Sequence, residues 1–228
     1  MSILTVTDIH KTYITGKTKT PALRGTSVTV EKGEFTAIVG PSGSGKTTLI
    51  NMIGGLDVPD NGSIVFDNIE ITGLPQKKLS DIRLTKIGFI FQAYNLIPVL
   101  SALENVEYVM LLQGVPEKER REKSIKLLEE IGLKDLIHKR PNEMSGGQQQ
   151  RVAVARAIIS EPMLILADEP TANLDSKTSG SLLDMMRKMN EEKHITFLFS
   201  THDSLVMERA RRIVSLIDGV VVGDSKDE

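Results

Sequence analysis

The sequence predicts an α/β fold whose core is a mostly parallel β-sheet. Three observations support this prediction. Short apolar, β-branched runs alternate with helical patterns along the chain, and a glycine-rich loop joins one of these runs to a helix. The first third of the chain is also richer in strands and turns than the remainder. Together they indicate strand–helix units whose strands pair in one sheet, preceded by a strand-rich part of the chain.

The strands are predicted from runs of apolar and β-branched residues that end at turn residues. They are Leu4–Val6, Ser27–Val30, Phe35–Val39, Ser63–Phe66, Ile87–Phe91, Met163–Ala167, Ile195–Phe199 and Ile213–Ile217. The pair Asp218-Gly219 between the last of these runs and Val220–Val222 predicts a two-residue hairpin. We expect the charged tail Asp224–Glu228 to be frayed.

The helices are predicted from apolar residues at helical spacing. They are Lys46–Ile53, Glu117–Ile131, Gly147–Ile159 and Lys177–Asn190. Gly132 stands at the end of the second of them, where a glycine commonly closes a helix. The segment Ala93–Met144 is almost purely helical, and we expect it to belong to a separate lobe.

Composition excludes several classes of protein. The 228 residues include 28 Lys and Arg against 30 Asp and Glu, and a net charge of -2 argues against a broad nucleic-acid footprint. The chain has no cysteine, which excludes disulfide frameworks and thiolate metal sites. Its longest apolar runs are far shorter than the ~20 residues of a membrane span, and Met1–His10 lacks the pattern of a signal peptide. We expect a cytoplasmic protein that reaches a membrane only through a partner, without inserting into it.

A phosphate-binding loop is predicted at Gly40–Thr47, which matches G-x-x-x-x-G-K-[ST]. It follows the strand Phe35–Val39 and precedes a helix that opens at Lys46. Its glycines let backbone N–H groups converge, and the helix N-terminus adds positive potential. Lys46 would meet the outer phosphates, and the Thr47 hydroxyl would bind Mg²⁺. A plain glycine-rich turn is the alternative. The predicted nucleotide-binding residues here are Gly40, Ser42, Gly43, Ser44, Gly45, Lys46, Thr47 and Thr48.

A second element of chemistry is the apolar run Leu164–Ala167, which ends in Asp168 and Glu169. A strand this apolar is expected at the centre of the sheet, so both acids would emerge at the carboxyl edge where ligands bind. Asp168 is placed to hold Mg²⁺ through water, and Glu169 to polarise an attacking water. The alternative interpretation is a solvated turn before Pro170.

The segment Met144–Gln148 resembles the signature sequence of ATP-binding-cassette (ABC) ATPases, with Met144 in place of the usual leucine. Other cassette motifs follow the family's order. Tyr13 resembles the aromatic residue that stacks on adenine, and Gln92 resembles the glutamine that binds Mg²⁺ and water. Asn173-Leu174-Asp175 resembles the D-loop, and Ser200-Thr201-His202-Asp203 resembles the loop of the switch histidine.

The resemblance implies the ABC ATPase fold, a P-loop NTPase with a mostly parallel sheet core, an N-terminal antiparallel β part and a helical lobe. It implies one ABC ATPase domain over 1–228, with 1–92 and 160–228 as core and 93–159 as the lobe that carries the signature. ATP and Mg²⁺ would be the cofactors. The implied catalytic residues are Lys46, Gln92, Glu169 and His202; the implied metal ligands are Thr47, Gln92 and Asp168; further nucleotide contacts would come from Tyr13, Gln92, Ser145, Gly146, Gly147, Gln148, Asp175 and His202.

In this family the signature of one chain faces the ATP held by a second chain. The resemblance therefore implies a homodimer that closes on ATP and drives a separate membrane permease, which holds the chain at the inner face of the cell membrane. The segments Phe91–Pro98, Glu104–Val106 and Ser145–Arg151 resemble the ATPases of lipoprotein-release, macrolide-export and antimicrobial-peptide-export systems.

Two other functions share features with this one. An ABC ATPase that regulates an envelope partner without moving a solute stays open. A DNA-repair ATPase would need a coiled coil between Lys46 and Ser145, where no sustained heptads occur, so no nucleic-acid partner is expected.

Overall fold

The computed structural model describes residues 1–226, and Asp227 and Glu228 lie outside the described residues. Two sheets and a set of helices form the fold. The strands are β1 (Ser2–Thr15), β2 (Thr18–Glu31), β3 (Phe35–Val39), β4 (Asn61–Phe66), β5 (Ile69–Glu70), β6 (Ile87–Phe91), β7 (Leu164–Asp168), β8 (Thr196–Thr201), β9 (Arg212–Ile217) and β10 (Val220–Lys226). The helices are α1 (Lys46–Ile53), α2 (Gln76–Lys86), α3 (Ala102–Leu112), α4 (Glu117–Glu130), α5 (Gly146–Ile158), α6 (Ser176–Lys193) and α7 (Ser204–Arg209), with short 3₁₀ turns at Lys134–Leu136 and Pro141–Glu143.

The larger sheet has the strand order β10-β9-β3-β8-β7-β6. Its five strands β9, β3, β8, β7 and β6 run parallel, and β10 returns antiparallel through the Asp218-Gly219 hairpin. Strands β7 and β8 are buried because helices cover both faces of a parallel sheet. The sheet therefore directs the carboxyl ends of β3, β6, β7 and β8 to a single edge.

The smaller sheet is antiparallel, with the order β2-β1-β4-β5. The predicted α/β fold with an N-terminal antiparallel part is thus confirmed. The predicted strands Leu4–Val6 and Ser27–Val30 were too short, because register shifts along β1 and β2 interrupt the alternation of buried residues while the backbone pairing continues. The predicted frayed tail was wrong up to Lys226, because Asp224 and Ser225 pair with β9.

The helical part of the chain packs on the edge of the large sheet. Helices α3, α4 and α5 bury apolar residues such as Val106, Leu128 and Val152 in a cluster that also includes Ile165 and Phe197 of the sheet. Helix α5 lies against both α3 and β6. The division into a core and a lobe at residues 93 and 159 stays a prediction, since the two share this cluster. Within residues 1–226, none of the helices combines the length and hydropathy needed to span a bilayer.

Candidate active site

A cavity of about 540 Å³ opens at the carboxyl edge of the large sheet. Its walls come from β1, the loop after β3, the start of α1, and the residues that follow β6, β7 and β8. The lining residues are Tyr13, Ala22, Pro41, Ser42, Gly43, Gly45, Lys46, Thr47, Thr48, Gln92, Glu169, Ala172 and His202. Most of the predicted site residues therefore meet in one cavity, although they are far apart in the sequence.

The phosphate-binding loop owes its shape to close backbone approach. A Cβ on Gly40 would lie 2.0 Å from the Leu216 carbonyl oxygen, so only glycine fits there. The Lys46 ammonium is buried and donates to the Gly40 carbonyl at 2.8 Å and the Pro41 carbonyl at 3.0 Å. The Ser44 hydroxyl is also buried and finds no partner among the described residues. Such an unpaired donor is costly, and an anion in the loop would satisfy it.

Oxygen ligands suited to a magnesium ion lie beside this loop. The Thr47 hydroxyl donates to Oδ1 of Asp168 at 3.0 Å, and Gln92 lines the same cavity. Mg²⁺ is bound by one or two such oxygens together with substrate phosphates, rather than by a cage of protein ligands. No group of three or more His, Cys, Asp and Glu residues able to hold a metal occurs in residues 1–226. The donor set fits a metal that shares its coordination with a nucleotide.

Glu169 is held by the end of β8 and by His202, the residue that follows it. Its Oε1 lies 2.7 Å from Nδ1 of His202, and its Oε2 accepts from the Thr201 hydroxyl at 3.1 Å. Its backbone has φ 47°, a strained value for a residue with a side chain, and its N–H donates to the Ser200 carbonyl at 2.8 Å. The side chain is only 14% exposed, whereas that of His202 is 71% exposed. A restrained carboxylate thus faces an exposed imidazole.

Tyr13 stands at the far end of the cavity. Its hydroxyl donates to Oδ2 of Asp57 at 2.9 Å, and the Lys11 ammonium lies 5.3 Å from the ring centroid. Burial of the hydroxyl raises the pKa of Tyr13, and the Asp57 carboxylate adds to that rise, while a hydrogen bond from Thr48 opposes it. The phenol therefore stays neutral and keeps the proton that it donates to Asp57.

The predicted signature residues lie outside this cavity. Ser145 caps α5: its hydroxyl accepts from the Gln148 N–H at 3.4 Å, and the Gln148 side-chain oxygen accepts from the Ser145 N–H at 2.8 Å. A Cβ on Gly147 would lie 2.4 Å from Cγ2 of Thr178, and one on Gly146 would lie 2.8 Å from the Tyr94 hydroxyl. The glycines are therefore needed for packing, and no signature residue lines the cavity of its own chain.

Asp175 of the predicted D-loop also lies outside the cavity and caps α6. Its carboxylate accepts from the Thr178 N–H at 3.0 Å and from the Thr178 hydroxyl at 2.6 Å. The side-chain hydrogen bond from Thr178 holds the pKa of Asp175 below its ordinary value. Nearby, the Asn173 amide donates to the Gln92 carbonyl at 2.9 Å, so the D-loop and the segment after β6 are joined.

Sequence reasoning missed two residues that support the site. Asp57 and Lys11 hold Tyr13, yet they belong to no cassette motif and Asp57 lies 44 residues from Tyr13 in the sequence. No local periodicity reports a contact of that separation. The sequence offers only a pair of opposite charges as a signal: Lys11 near the exposed end of β1, and Asp57 shortly after α1.

A glycine-rich loop that opens a helix, a Thr–Asp pair and a restrained carboxylate at one sheet edge define a P-loop ATPase. Comparison with known proteins makes the class more specific. A model of the ABC transporter family matches residues 23–172. An uncharacterized ABC transporter ATP-binding protein of Thermotoga maritima is 46% identical over 221 residues, 97% of this chain and 94% of that protein.

Two further comparisons agree. The macrolide export ATP-binding/permease protein MacB of Syntrophobacter fumaroxidans is 45% identical over 227 residues, which are 99% of this chain but 32% of that protein. The dimeric structure of the ATP-binding cassette MJ0796 in a post-hydrolysis state has a TM-score of 0.92 at 42% identity and covers 99% of both chains; MJ0796 is a protein of Methanocaldococcus jannaschii. The chain belongs to the ABC transporter family and is an ATP-binding subunit with ATPase activity, as predicted.

Proposed function

We propose that this ATPase powers a separate membrane permease, and that export is the direction of transport. The observation that carries the proposal is the separation of two elements within one chain. Lys46, Glu169 and His202 meet in a cavity, whereas the signature from Ser145 is built, capped and exposed elsewhere. A second chain that brings its own signature to the cavity would complete the site.

Nucleotide binding is assigned to residues on both sides of the cavity. The loop amides, with Ser44 and Lys46, would hold the phosphates, and the Tyr13 ring would stack on the base. Lys46 donates to loop carbonyls in the free chain, and transfer of those hydrogen bonds to phosphate oxygens would give shorter, charge-assisted contacts. The buried Ser44 hydroxyl would gain the partner that it lacks.

A Mg²⁺ ion would be held by Thr47, Asp168 and Gln92, and it would neutralise charge on the phosphates. The chain itself prepares this arrangement, because β7 and α1 bring Thr47 and Asp168 into hydrogen-bond contact. Gln92 comes directly after β6, and Asn173 fixes its backbone. The metal role of these residues is part of the proposal.

Hydrolysis is assigned to Glu169 as the residue that orients or deprotonates the attacking water. The bond between its Oε1 and Nδ1 of His202 occupies one carboxylate oxygen in the free chain. His202 would contact the γ-phosphate once it turns from Glu169, for which its exposure leaves room. The loop after β8 thereby couples the presence of the γ-phosphate to the freedom of the base.

The dimer is supported by relatives. MJ0796, at 42% identity, has been solved as a dimer, in one case with ADP and phosphate. In the proposed dimer, two helix N-termini would face each γ-phosphate: α1 from one chain and α5, opened by Gly146 and Gly147, from the other. Loss of the γ-phosphate would remove the bridge and open the dimer, which is the mechanical step.

A docking place for the permease lies beside Gln92. A groove of about 540 Å³ runs between α2, α3, α5 and β6, and both Phe91 and Asn95 line it. Leu56 and Leu112, which are 46% and 56% exposed, stand on its rim. A short segment of the permease that buries these two leucines would be displaced by any movement of Gln92. The chain spans about a third of the length of MacB, whose name combines ATP-binding and permease functions.

The experiment coexpresses the chain with a candidate permease, taken from the genes that neighbour its own. Leu112→Asp should keep the ATPase activity of the isolated chain and lose copurification with the permease. The matched control is Leu111→Asp, an adjacent exposed leucine that does not line the groove. The proposed docking site is wrong if both variants, or neither, lose the partner. In vesicles, a complex that hydrolyses ATP and moves no solute would favour the regulatory alternative over export.

A further inference from the structure

We propose that Asp57 is a positioning residue for the nucleotide base: it locks the ring of Tyr13, together with Lys11, so that one ring face is presented to the cavity before ATP arrives. The inference rests on the proposed role of Tyr13 in stacking on the base. It adds residues that no cassette motif contains and assigns them a measurable effect on ATP affinity.

The first support is the way in which Asp57 divides its two oxygens. Its Oδ2 accepts from the Tyr13 hydroxyl at 2.9 Å, while its Oδ1 accepts from the Lys11 ammonium at 3.0 Å and from the Val58 N–H at 2.7 Å. Burial alone would raise the pKa of Asp57, but the hydrogen bonds from Lys11, Val58 and Tyr13 outweigh it and hold that pKa below its ordinary value. The carboxylate therefore stays charged and fully engaged at neutral pH.

The second support is the place of Lys11. Its side chain is only 13% exposed, and its ammonium donates to Asp57 and to the Val58 carbonyl at 2.7 Å. The same ammonium lies 5.3 Å from the centroid of the Tyr13 ring, within the range of a cation–π contact. Because Lys11 packs against this ring and Tyr13 lines the cavity, the base is left with the ring surface that faces the cavity.

The third support is the connection to the phosphate loop. The backbone N–H groups of Leu56 and Asp57 both donate to the Asn51 carbonyl near the end of α1. The same helix begins at Lys46, beside the phosphate loop, and Thr48 in its first turn lines the same cavity as Tyr13. One short helix therefore fixes the phosphate site at its first turn and, through Asp57, the base platform at its end.

The expected effect follows from side-chain ordering. Tyr13 is 39% exposed at the end of a long β-ribbon, so without its anchor the ring would sample several rotamers. Ordering a free side chain on binding weakens affinity by about 3- to 10-fold. A ligand that lacks a base would not feel this cost, because it meets only the phosphate loop.

The experiment compares the dissociation constants of ATP and of inorganic tripolyphosphate for the isolated chain by titration calorimetry. Asp57→Ala should weaken ATP binding about 3- to 10-fold and leave tripolyphosphate binding unchanged. Tyr13→Phe, which keeps the ring and removes its hydroxyl, should lose a similar factor for ATP alone. The double variant should lose no more than either single variant, because both remove one contact. Asp60→Ala is the matched control: Asp60 lies 4.0 Å from Lys11 and accepts from the Thr12 N–H at 2.6 Å, so it holds the backbone beside Tyr13 without touching the phenol. If the anchor acts through the ring, its loss should leave the ratio of the two constants unchanged.

Each contrary result has a distinct meaning. Equal weakening of ATP binding and tripolyphosphate binding in Asp57→Ala would overturn the proposal, because the segment that carries Asp57 would then have a general structural role. Unchanged ATP binding in Asp57→Ala and Tyr13→Phe, with weakened ATP binding in Tyr13→Ala, would reject positioning and keep stacking. If Tyr13→Ala also leaves the ratio of the two constants unchanged, the stacking role assigned to Tyr13 fails, and this inference fails with it.

Discussion

The phosphate loop and the signature are both glycine-rich segments that open a helix, yet the chain treats them differently. At the phosphate loop, polar groups lack the partners that a ligand would supply. The buried Ser44 hydroxyl has no partner among the described residues, and Lys46 donates to the carbonyls of Gly40 and Pro41. At the signature, Ser145 and Gln148 satisfy each other in a capping box. The first segment has an unsatisfied polar group that a nucleotide would pair with, and the second is satisfied within itself and does not line the candidate nucleotide cavity of its own chain.

This difference separates binding from turnover. In the proposed site one chain holds the groups that would bind the nucleotide, so ATP affinity is expected to depend on the cavity of that chain and not on the signature. Hydrolysis is expected to depend on both segments, because the proposed closure of two chains would join them. Variants that affect one property without the other are the natural way to test the comparison.

The largest effect is expected at Glu169, the proposed base, which lies in the cavity of the chain that binds ATP. Glu169→Gln keeps the volume of the side chain and one acceptor oxygen but removes its basicity, which should lower the rate about 10²–10⁴-fold. ATP binding should persist, so the variant should accumulate as an ATP-bound dimer in gel filtration. Phosphate release at the wild-type rate would show that another group activates the water.

A smaller effect is expected from Gly147→Ala, which tests why the signature is rich in glycine. The new Cβ would lie 2.4 Å from Cγ2 of Thr178 and should cost about 1–3 kcal/mol in the free energy of unfolding. Urea denaturation measures this cost. Thr178→Ser removes the methyl group and keeps the hydroxyl that bonds Asp175, so the double variant should recover most of the stability.

The comparison with Gly40→Ala sharpens the result. There the obstruction is the Leu216 backbone oxygen at 2.0 Å, which no side-chain substitution can remove. If the Gly147→Ala, Thr178→Ser chain is stable but remains inactive, the signature glycine is needed beyond packing. Full activity of that double variant would show that Gly147 is needed only for packing within the chain.

The smallest change in stability is expected from Ser145→Ala. Loss of a helix N-cap costs about 1 kcal/mol, and Ser145→Thr, which keeps a hydroxyl, should cost less. Because Ser145 does not line the cavity of its own chain, the ATP affinity of the isolated chain should be unchanged while turnover falls. Weakened ATP binding in a dilute, monomeric sample would contradict the separation of binding from turnover.

The sequence was sufficient to predict the elements whose signal is local. The apolar run that became β7, the glycine loop before α1 and the Asp218-Gly219 hairpin were all predicted close to their observed bounds. Lys46 and Glu169 could be predicted to share one sheet edge, since parallel strands present their carboxyl ends together. The roles of these residues remain proposals, whereas their convergence on one cavity is observed.

The remaining features depend on contacts between distant segments. Helix α2 escaped prediction because its polar sequence fully buries only Leu79 and packs Ile82 partly, which is a weak apolar periodicity. The full lengths of β1 and β2 were missed since their shifts of register break the alternation of buried residues. The anchor of Tyr13 was missed because Asp57 meets it only once the small sheet folds over the end of α1.

The most direct measurement of the composite site uses the absence of cysteine from the chain. One tagged chain carries Ser42→Cys and a differently tagged chain carries Ser145→Cys, both exposed positions, each with Glu169→Gln to hold ATP. With ATP and Mg²⁺, a short thiol-to-thiol crosslinker should join the two different chains, and it should join far fewer with ADP. No bond between chains at saturating ATP, together with a bond inside single chains that carry both cysteines, would show that the signature closes its own chain's site and would contradict this account.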